Sequence, residues 1–282
     1  GPVWIDIPLD VQTAFIKKKE LKIFSKPIQR NKKINYKKII DLITHSKRPC
    51  ILIGNGLHIS NSENLFKKFF KSFDLPLLSS WNASDIIETK NKKYIGRVGI
   101  FGDRAANFTI QNSDLIIVLG CRLSQPQTGY NLNLFAPEAK IIYVEIDKNE
   151  IKKFGKKVVY SANVDVAKFL DNFLKVITSL KKNFNTYKKN IWLEKVKSWK
   201  KKYPVVLKRY EKQVKINSFN FIEKLSNSIS NNACVVTDMG TSFTCTMQAM
   251  KLKNSQRLFT SSGLAAMGFG LPGAIGASFA DF

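Results

Sequence analysis

Nine of the eighteen residues from Thr260 to Ala277 are glycine or alanine, gathered around Met267-Gly268-Phe269-Gly270 and followed by Leu271-Pro272. A backbone this bare can approach another backbone or a ligand closely, and proline is tolerated in the first turn of a helix. The segment has the make-up of a small-molecule cradle, closed by a helix that buries an almost side-chain-free face. Upstream, Val235-Val236-Thr237 reads as a strand, and Gly240, Thr241 and Ser242 stand between it and a helix. Backbone N–H groups and hydroxyls at a helix start, where the dipole is favourable, suit a phosphate. An ordinary strand-to-helix turn has the same outline, and an isolated methionine such as Met267 is most often core filler.

A third set of residues follows apolar runs nearer the amino terminus: Gly54-Asn55-Gly56, Gly99 to Asn107, Gly120-Cys121-Arg122, and Glu145-Ile146-Asp147. Ligands of parallel sheets sit beyond the carboxyl ends of strands, where these residues fall. A glycine turn alone is weak evidence for a nucleotide, and Asp147 reads equally as a helix cap.

The elements that must position these residues alternate. Tyr36–His45, Glu63–Phe73, Ala105–Gln111 and Val164–Leu180 have helical spacing, whereas Cys50–Gly54, Leu75–Ser79, Leu115–Gly120, Ile141–Ile146 and Val158–Tyr160 are strand-like. Strands apolar on both faces, separated by helices, predict a parallel, doubly wound α/β sheet. Alternation over residues 1–12 predicts a terminal strand, and the basic stretch 13–36 a linker. Residues 181–215 read as a helical connector that packs Trp192, Trp199, Tyr203 and Tyr210 on its neighbours. A further helix and strand follow at Ser218–Ile229 and Ala233–Thr237.

The chain has 282 residues, enough for substantial cores, with 44% hydrophobic residues. No apolar run approaches the length of a membrane span. Lys and Arg number 46 against 21 Asp and Glu, a formal net charge of +25. Lys far outnumbers Arg and is dispersed, and base-stacking and arginine-fork patterns are missing, so a solvated basic surface is expected and no nucleic-acid partner. Cys50, Cys121, Cys234 and Cys245 lack ligand-like spacing and there are only two histidines, which predicts neither a metal site nor a disulfide framework. Thiols of this kind fit a reducing cytoplasm.

Gly263-Leu264-Ala265-Ala266-Met267-Gly268-Phe269 and Val235–Phe243 resemble the opening of the diphosphate-binding domain of thiamine-diphosphate enzymes of the acetolactate synthase group. Gly1–Gln12 is similar to the last strand of that family's pyrimidine-binding domain. The resemblance implies a Rossmann-like central domain over 37–180, between the end of a pyrimidine domain (1–12) and the start of a diphosphate domain (216–282). It implies thiamine diphosphate as cofactor, contacted by Gly240, Thr241, Ser242, Gly263, Ala265 and Met267. In the family the methionine lies under the cofactor rings and enforces their bent conformation, and the carbonyl at Ala265 accepts from the 4′-amino group. Thr241-Ser242 departs from the Gln and His more usual there, and Ala265 replaces a common glycine.

In flavin-binding members the central loops contact FAD, which the resemblance carries onto Gly54, Gly56, Arg122 and Glu145. Here Pro126 replaces a second arginine and Asn163 an aspartate, and related members bind other nucleotides there or nothing, so FAD stays open. The implied reaction is decarboxylation of a 2-oxo acid such as pyruvate, with carboligation to a carbonyl acceptor, in a homo-oligomer that shares the cofactor between subunits. Alternatives are a simple 2-oxo acid decarboxylase, a carboligase of sugar biosynthesis, and a non-catalytic nucleotide-binding module. The family's Mg²⁺ ligands are expected beyond Phe282 and its catalytic glutamate before Gly1, so the sequence is expected to be an internal fragment, inactive alone.

Overall fold

The computed structural model describes residues 4–24, 33–180 and 191–280. It divides into two units, Gly1–Asn31 and Lys32–Phe282. In the first, the strand expected over 1–12 is absent among the described residues. Leu9–Gln12 instead forms one turn of helix (α1), entered at Pro8, whose carbonyl accepts from Val11 and Gln12 N–H. A strand needs an edge to pair with, and the described part of this unit has none. Proline also lacks the N–H a ladder requires, so the alternating apolar residues, such as Trp4 and Ile7, stay exposed. Within the expected linker, Lys18–Glu20 is a 3₁₀ turn, and residues 25–32 lie outside the described residues.

In the second unit, β1 (Pro49–Ile53), β2 (Leu77–Ser79), β3 (Tyr94–Arg97), β4 (Leu115–Leu119), β5 (Lys140–Val144) and β6 (Val158–Ala162) form one parallel sheet, ordered β3-β2-β1-β4-β5-β6. Successive side chains point to opposite faces, so each apolar run feeds two cores. Ile51, Ile53, Ile117 and Ile142 pack with a phenylalanine cluster on one side. Cys50, Leu52, Ile116 and Tyr143 pack on the other with Ala105, Ala106 and Ile110.

The first face is covered by α2 (Tyr36–His45), α3 (Gly56–Ile59), α4 (Glu63–Lys71) and α8 (Val166–Leu180). Phe66, Phe69 and Phe70 of α4 meet Phe169 and Phe173 of α8 there, and the side chain of Asn35 caps α2 by accepting from Lys38 N–H. The second face receives α5 (Arg104–Asn112) and the connector helix α9 (Ile191–Lys202). Trp192 of α9 donates from Nε1 to the Pro49 carbonyl at 3.1 Å, and its ring meets Trp199 edge-on. Two short turns, α6 (Gln125–Thr128) and α7 (Lys148–Lys152), follow β4 and β5. Residues 181–190 of the expected connector lie outside the described residues.

Strand β3 has no counterpart in the sequence reading, because Gly96 and a buried Arg97 break its apolar run. Arg97 is buried against the carbonyl of Met250, to which its Nη2 donates at 2.9 Å, and its backbone N–H reaches Asp103.

The chain closes with α10 (Ser218–Ser228), β7 (Cys234–Thr237), α11 (Thr241–Ala249), β8 (Arg257–Thr260) and α12 (Gly270–Ser278), in which β7 and β8 pair in parallel. A polar seam joins this part to the six-stranded part. The fully buried carboxylate of Asp85 accepts from Leu258 N–H at 2.9 Å and from Arg257 Nη1 at 2.8 Å. Its other oxygen lies 2.7 Å from His58 Nε2, and His58 Nδ1 lies 2.6 Å from Glu63. Thr89 and Leu252 exchange two further hydrogen bonds, Leu252 N–H to Thr89 Oγ1 and Thr89 N–H to the Leu252 carbonyl.

At the carboxyl ends of the neighbouring central strands β1 and β4, glycines allow backbone to meet backbone. A Cβ on Gly54 would lie 2.2 Å from the Gly120 carbonyl oxygen, and one on Gly56 2.8 Å from Gly120 Cα.

Asp85→Ala leaves Arg257 and the Leu258 N–H without their buried acceptor, and is expected to cost about 3–5 kcal/mol in urea unfolding; a loss below about 1 kcal/mol overturns the assignment of the seam to Asp85. Gly54→Ala is expected to cost about 1–3 kcal/mol by overpacking. Gly263→Ala, where a Cβ meets nothing within 4 Å, serves as the comparison in the same assay and should stay within about 0.5 kcal/mol.

Candidate cofactor and substrate site

Beyond β7 the chain turns through Asp238, Met239 and Gly240 into α11, with Gly240 at φ 76°. That conformation is open to glycine at no steric cost. The first residues of α11, Thr241 and Ser242, are exposed, and Ser242 Oγ donates to the Met239 carbonyl at 3.1 Å. Beyond β8 the chain makes a second turn, in which Ala265 takes φ 58° and Gly268 φ 89°. A left-handed alanine is strained relative to glycine, which accounts for the glycine usual at this place in the family it resembles.

Asp238 ties the two turns together. Its carboxylate accepts from Met239 N–H at 2.7 Å, from Gly268 N–H at 3.0 Å and from Gly270 N–H at 3.1 Å. These backbone donors, Met239 first, then Gly270 and Gly268, hold the Asp238 carboxyl below the ordinary carboxylate range. Gly270 is needed for this approach, since a Cβ there would stand 2.9 Å from Asp238 Cβ. At Gly240, Gly263 and Gly268 a Cβ would meet nothing within 4 Å, so these glycines border open space.

Met267 is 89% exposed. Helix α12 starts at Gly270, with Pro272 in its first turn, and has no buried residue. The side-chain-free face expected to be buried is therefore open, and the helix approaches β7 at Gly273, whose added Cβ would lie 3.1 Å from Val236. The physical reason is that Leu271, Ile275 and Phe279 project from α12 into solvent, with no packed element of the described residues over them.

A cavity of about 580 Å³ opens between these turns and the loops that follow β2, β3 and β4. Its walls include Trp81, Phe101 and Phe243, along with Gln125, Met239 and Ala265. The three aromatic rings form one cluster, with Trp81 and Phe243 centred 5.1 Å apart and Phe101 and Phe243 5.5 Å apart, both edge-on. Ala265 is thus brought to the cavity, while Gly240, Thr241, Ser242, Gly263 and Met267 lie on the same two turns outside its lining. Sequence reasoning missed Asp238, although it directly follows an apolar strand, and missed the aromatic wall, whose members are far apart in the chain.

The central residues are placed differently. Gly54 and Gly56 pack on Gly120, with Gly54 N–H donating to the Leu119 carbonyl and Gly56 N–H to that of Gly120. Arg122 Nε donates to Glu150 at 2.8 Å, and that hydrogen bond raises the guanidinium pKa. Glu145 accepts from Ile146 and Asp147 N–H; burial nevertheless pushes its carboxyl above the ordinary range. Asn163 closes the same turn by donating to the carbonyls of Glu145 and Ile146, and Asp147 caps α7 by accepting from Asn149 N–H. Each of the four residues carried over for a flavin already has a partner within the chain.

The family model described as the thiamine pyrophosphate enzyme central domain matches residues 36–173, which contain the whole six-stranded sheet. The one described as the C-terminal thiamine pyrophosphate binding domain matches residues 238–281, from Asp238 through the small-residue turn. The chain belongs to the thiamine pyrophosphate enzymes. It is similar to the probable acetolactate synthase large subunit of Methanocaldococcus jannaschii, at 32% identity over 99% of this chain and 48% of that protein. It is also similar to acetolactate synthase isozyme 1 large subunit of Escherichia coli, at 30% over 100% of this chain and 48% of the relative, and to the acetolactate synthase large subunit of Pyropia yezoensis, at 31% over 99% and 47%. The chain spans about half the length of these curated relatives.

For this thiamine pyrophosphate enzyme the residues present fit part of a cofactor site. They supply a helix start behind a left-handed glycine, open space at three glycines, and a strained Ala265 beside the cavity. Among the described residues no group of three His, Cys, Asp or Glu side chains is placed to hold a metal ion, and no helix is long and apolar enough to cross a membrane.

Because the folded-state pKa of Asp238 is lowered, its contribution to stability is complete above the unfolded carboxylate value and lost as pH falls through the folded one. The difference in unfolding free energy between the native chain and Asp238→Asn should therefore be constant near neutral pH and shrink below about pH 4. Urea titrations across that window check it, and a difference independent of pH would remove Asp238 as the tie between the turns.

Proposed function

We propose that this chain is part of an enzyme of the acetolactate synthase kind, which decarboxylates a pyruvate-like 2-oxo acid and joins the remaining acyl unit to a carbonyl acceptor. The observation that carries the reading is the pair of turns held by Asp238 beside a cavity, within segments that match both thiamine pyrophosphate enzyme models. When bound, thiamine diphosphate supplies the electron sink that lets a 2-oxo acid lose CO₂.

The chain's own residues do the rest. The N–H groups and hydroxyls at the start of α11, with Gly240, Thr241 and Ser242, would hold the diphosphate, as helix starts favour anions. The Ala265 carbonyl would accept from the cofactor's amino group, with Gly263 leaving room for its approach. Met267 would be the apolar support for its rings. Asp238 is a positioning residue that fixes the distance between the phosphate turn and the Ala265 turn. The aromatic wall excludes water from the reacting carbon, which strengthens local electrostatics. The Mg²⁺ that accompanies the diphosphate is part of the proposal.

The exposed apolar residues around Met267, among them Leu264 and Leu271, support a homo-oligomer in which a second subunit completes the site. Four unpaired cysteines, three of them buried, support a reducing cytoplasm.

An 89% exposed side chain contributes little to folding. Met267→Ala in the full-length enzyme should therefore change unfolding free energy by less than about 0.5 kcal/mol, while turnover of pyruvate falls at least tenfold. Matched losses of turnover and stability would make Met267 a packing residue.

A further inference from the structure

Only seven of the chain's 46 basic residues are arginine, the rest being lysine. Arg48, Arg122 and Arg257 are paired with Glu138, Glu150 and Asp85, and Arg97 donates to the Met250 carbonyl. Arg104 and Arg209 have aromatic partners instead. The guanidinium carbon of Arg104 lies 5.3 Å from the centre of the Tyr203 ring and that of Arg209 5.8 Å from the centre of the Tyr210 ring, with no carboxylate paired to either among the described residues. Both arginines line one groove of about 670 Å³, a size that suits a small molecule. The groove runs between the start of α5, the stretch that follows α9, and the helices α10 and α11. Gly54, Arg122 and Glu145, at the ends of the central strands, take no part in its lining.

A guanidinium stacked on a ring uses its face and keeps its in-plane N–H groups, whose fork matches phosphate oxygens. Lys202 adds a third cation to the groove, its Nζ 5.5 Å from the Tyr203 ring. The acids adjacent in sequence are committed elsewhere: Asp103 accepts from Arg97 N–H at 2.7 Å, and Glu211 pairs with Lys224 at 3.7 Å. The two tyrosine rings are held by neighbours. Phe108 meets Tyr203 edge-on at 5.5 Å, and Phe219 stacks on Tyr210 at 6.2 Å. A net charge of +25 draws any anion toward the chain, and dispersed lysines do not choose among anions. Arginines beside fixed aromatic rings do, because they join phosphate recognition to a surface on which a flat base stacks.

We propose that this groove binds a nucleoside diphosphate or triphosphate, with Arg104, Arg209 and Lys202 on the phosphates and the Tyr203 and Tyr210 rings against the base. The ligand touches α5 of the six-stranded part and α10 and α11 of the closing part, so its binding fastens the two together.

The test is a calorimetric titration of the full-length enzyme, saturated with thiamine diphosphate and Mg²⁺, with ADP, pyrophosphate and adenosine in turn. ADP is expected to bind with a Kd at least tenfold below that of either fragment, since both halves are recognised on one molecule. Arg104→Gln, Arg209→Gln and Tyr210→Leu should each raise that Kd at least fivefold. Arg122→Gln, which removes a cation at the strand ends, should change it less than twofold. ADP should also raise the midpoint of thermal unfolding of the native enzyme, and not that of the double variant Arg104→Gln, Arg209→Gln. Absence of ADP binding overturns the proposal, as does binding of pyrophosphate or adenosine as tight as that of ADP. A loss in Arg122→Gln as large as in Arg104→Gln assigns the nucleotide to the strand ends and overturns it as well. Both groove arginines are exposed, so their replacement spares the fold, and the comparison of ADP with its fragments decides on the native protein alone. Since nothing in the titration requires turnover, the outcome is independent of the proposed reaction.

Discussion

A buried carboxylate ties β8 of the two-stranded sheet to the part of the larger unit that carries the six-stranded one. Asp85 is fully buried and accepts from both the side chain of Arg257 and the backbone of Leu258. A two-stranded sheet such as β7-β8 is marginal on its own, and it gains a fixed position from this contact and from Arg97 reaching the Met250 carbonyl. A charge removed from water must find its partners inside the protein, and Asp85 finds them in β8. The cavity lies between Trp81 on one side and Phe243, Met239 and Ala265 on the other.

The glycines sort by what an added Cβ would meet. At Gly54, Gly56 and Gly270 it would strike protein, so those residues serve close packing at strand ends and around Asp238. At Gly240, Gly263 and Gly268 it would meet open space, and the last two belong to the small-residue segment whose density drew notice in the sequence. The first group explains how the fold closes, and the second borders the space that the proposed cofactor takes. The distribution of charge runs parallel. A strongly basic chain keeps its charges off the cavity walls, while two of its buried charged groups, Asp85 and Arg97, are committed to the seam.

Much of this was legible in the sequence because local pattern and tertiary role coincide. The runs at Cys50–Gly54, Leu115–Gly120 and Ile141–Ile146 are apolar at successive positions, and only a strand buried on both faces uses such a run. They became β1, β4 and β5 within one or two residues. Helices α2, α4 and α8 followed from spacing alone. Patterns failed where burial and residue type part company. The edge strand β3 contains glycine and arginine, and β8 contains Arg257, whose charge is answered by a residue 172 positions earlier. Residues 4–12 differ in the opposite sense, since alternation specifies a strand only where another strand is there to pair with it.

By itself the sequence determined the apolar strands and the small-residue turn, because periodicity, chain order and glycine placement are local properties, and its motifs carried the resemblance to the family. Tertiary structure alone decided that Asp238 reaches Gly268 and Gly270 across 30 and 32 residues, that Arg122 is taken by Glu150, and that the cavity has aromatic walls without charge. Those outcomes depend on which distant groups meet in space, and no spacing within a single segment encodes such a meeting.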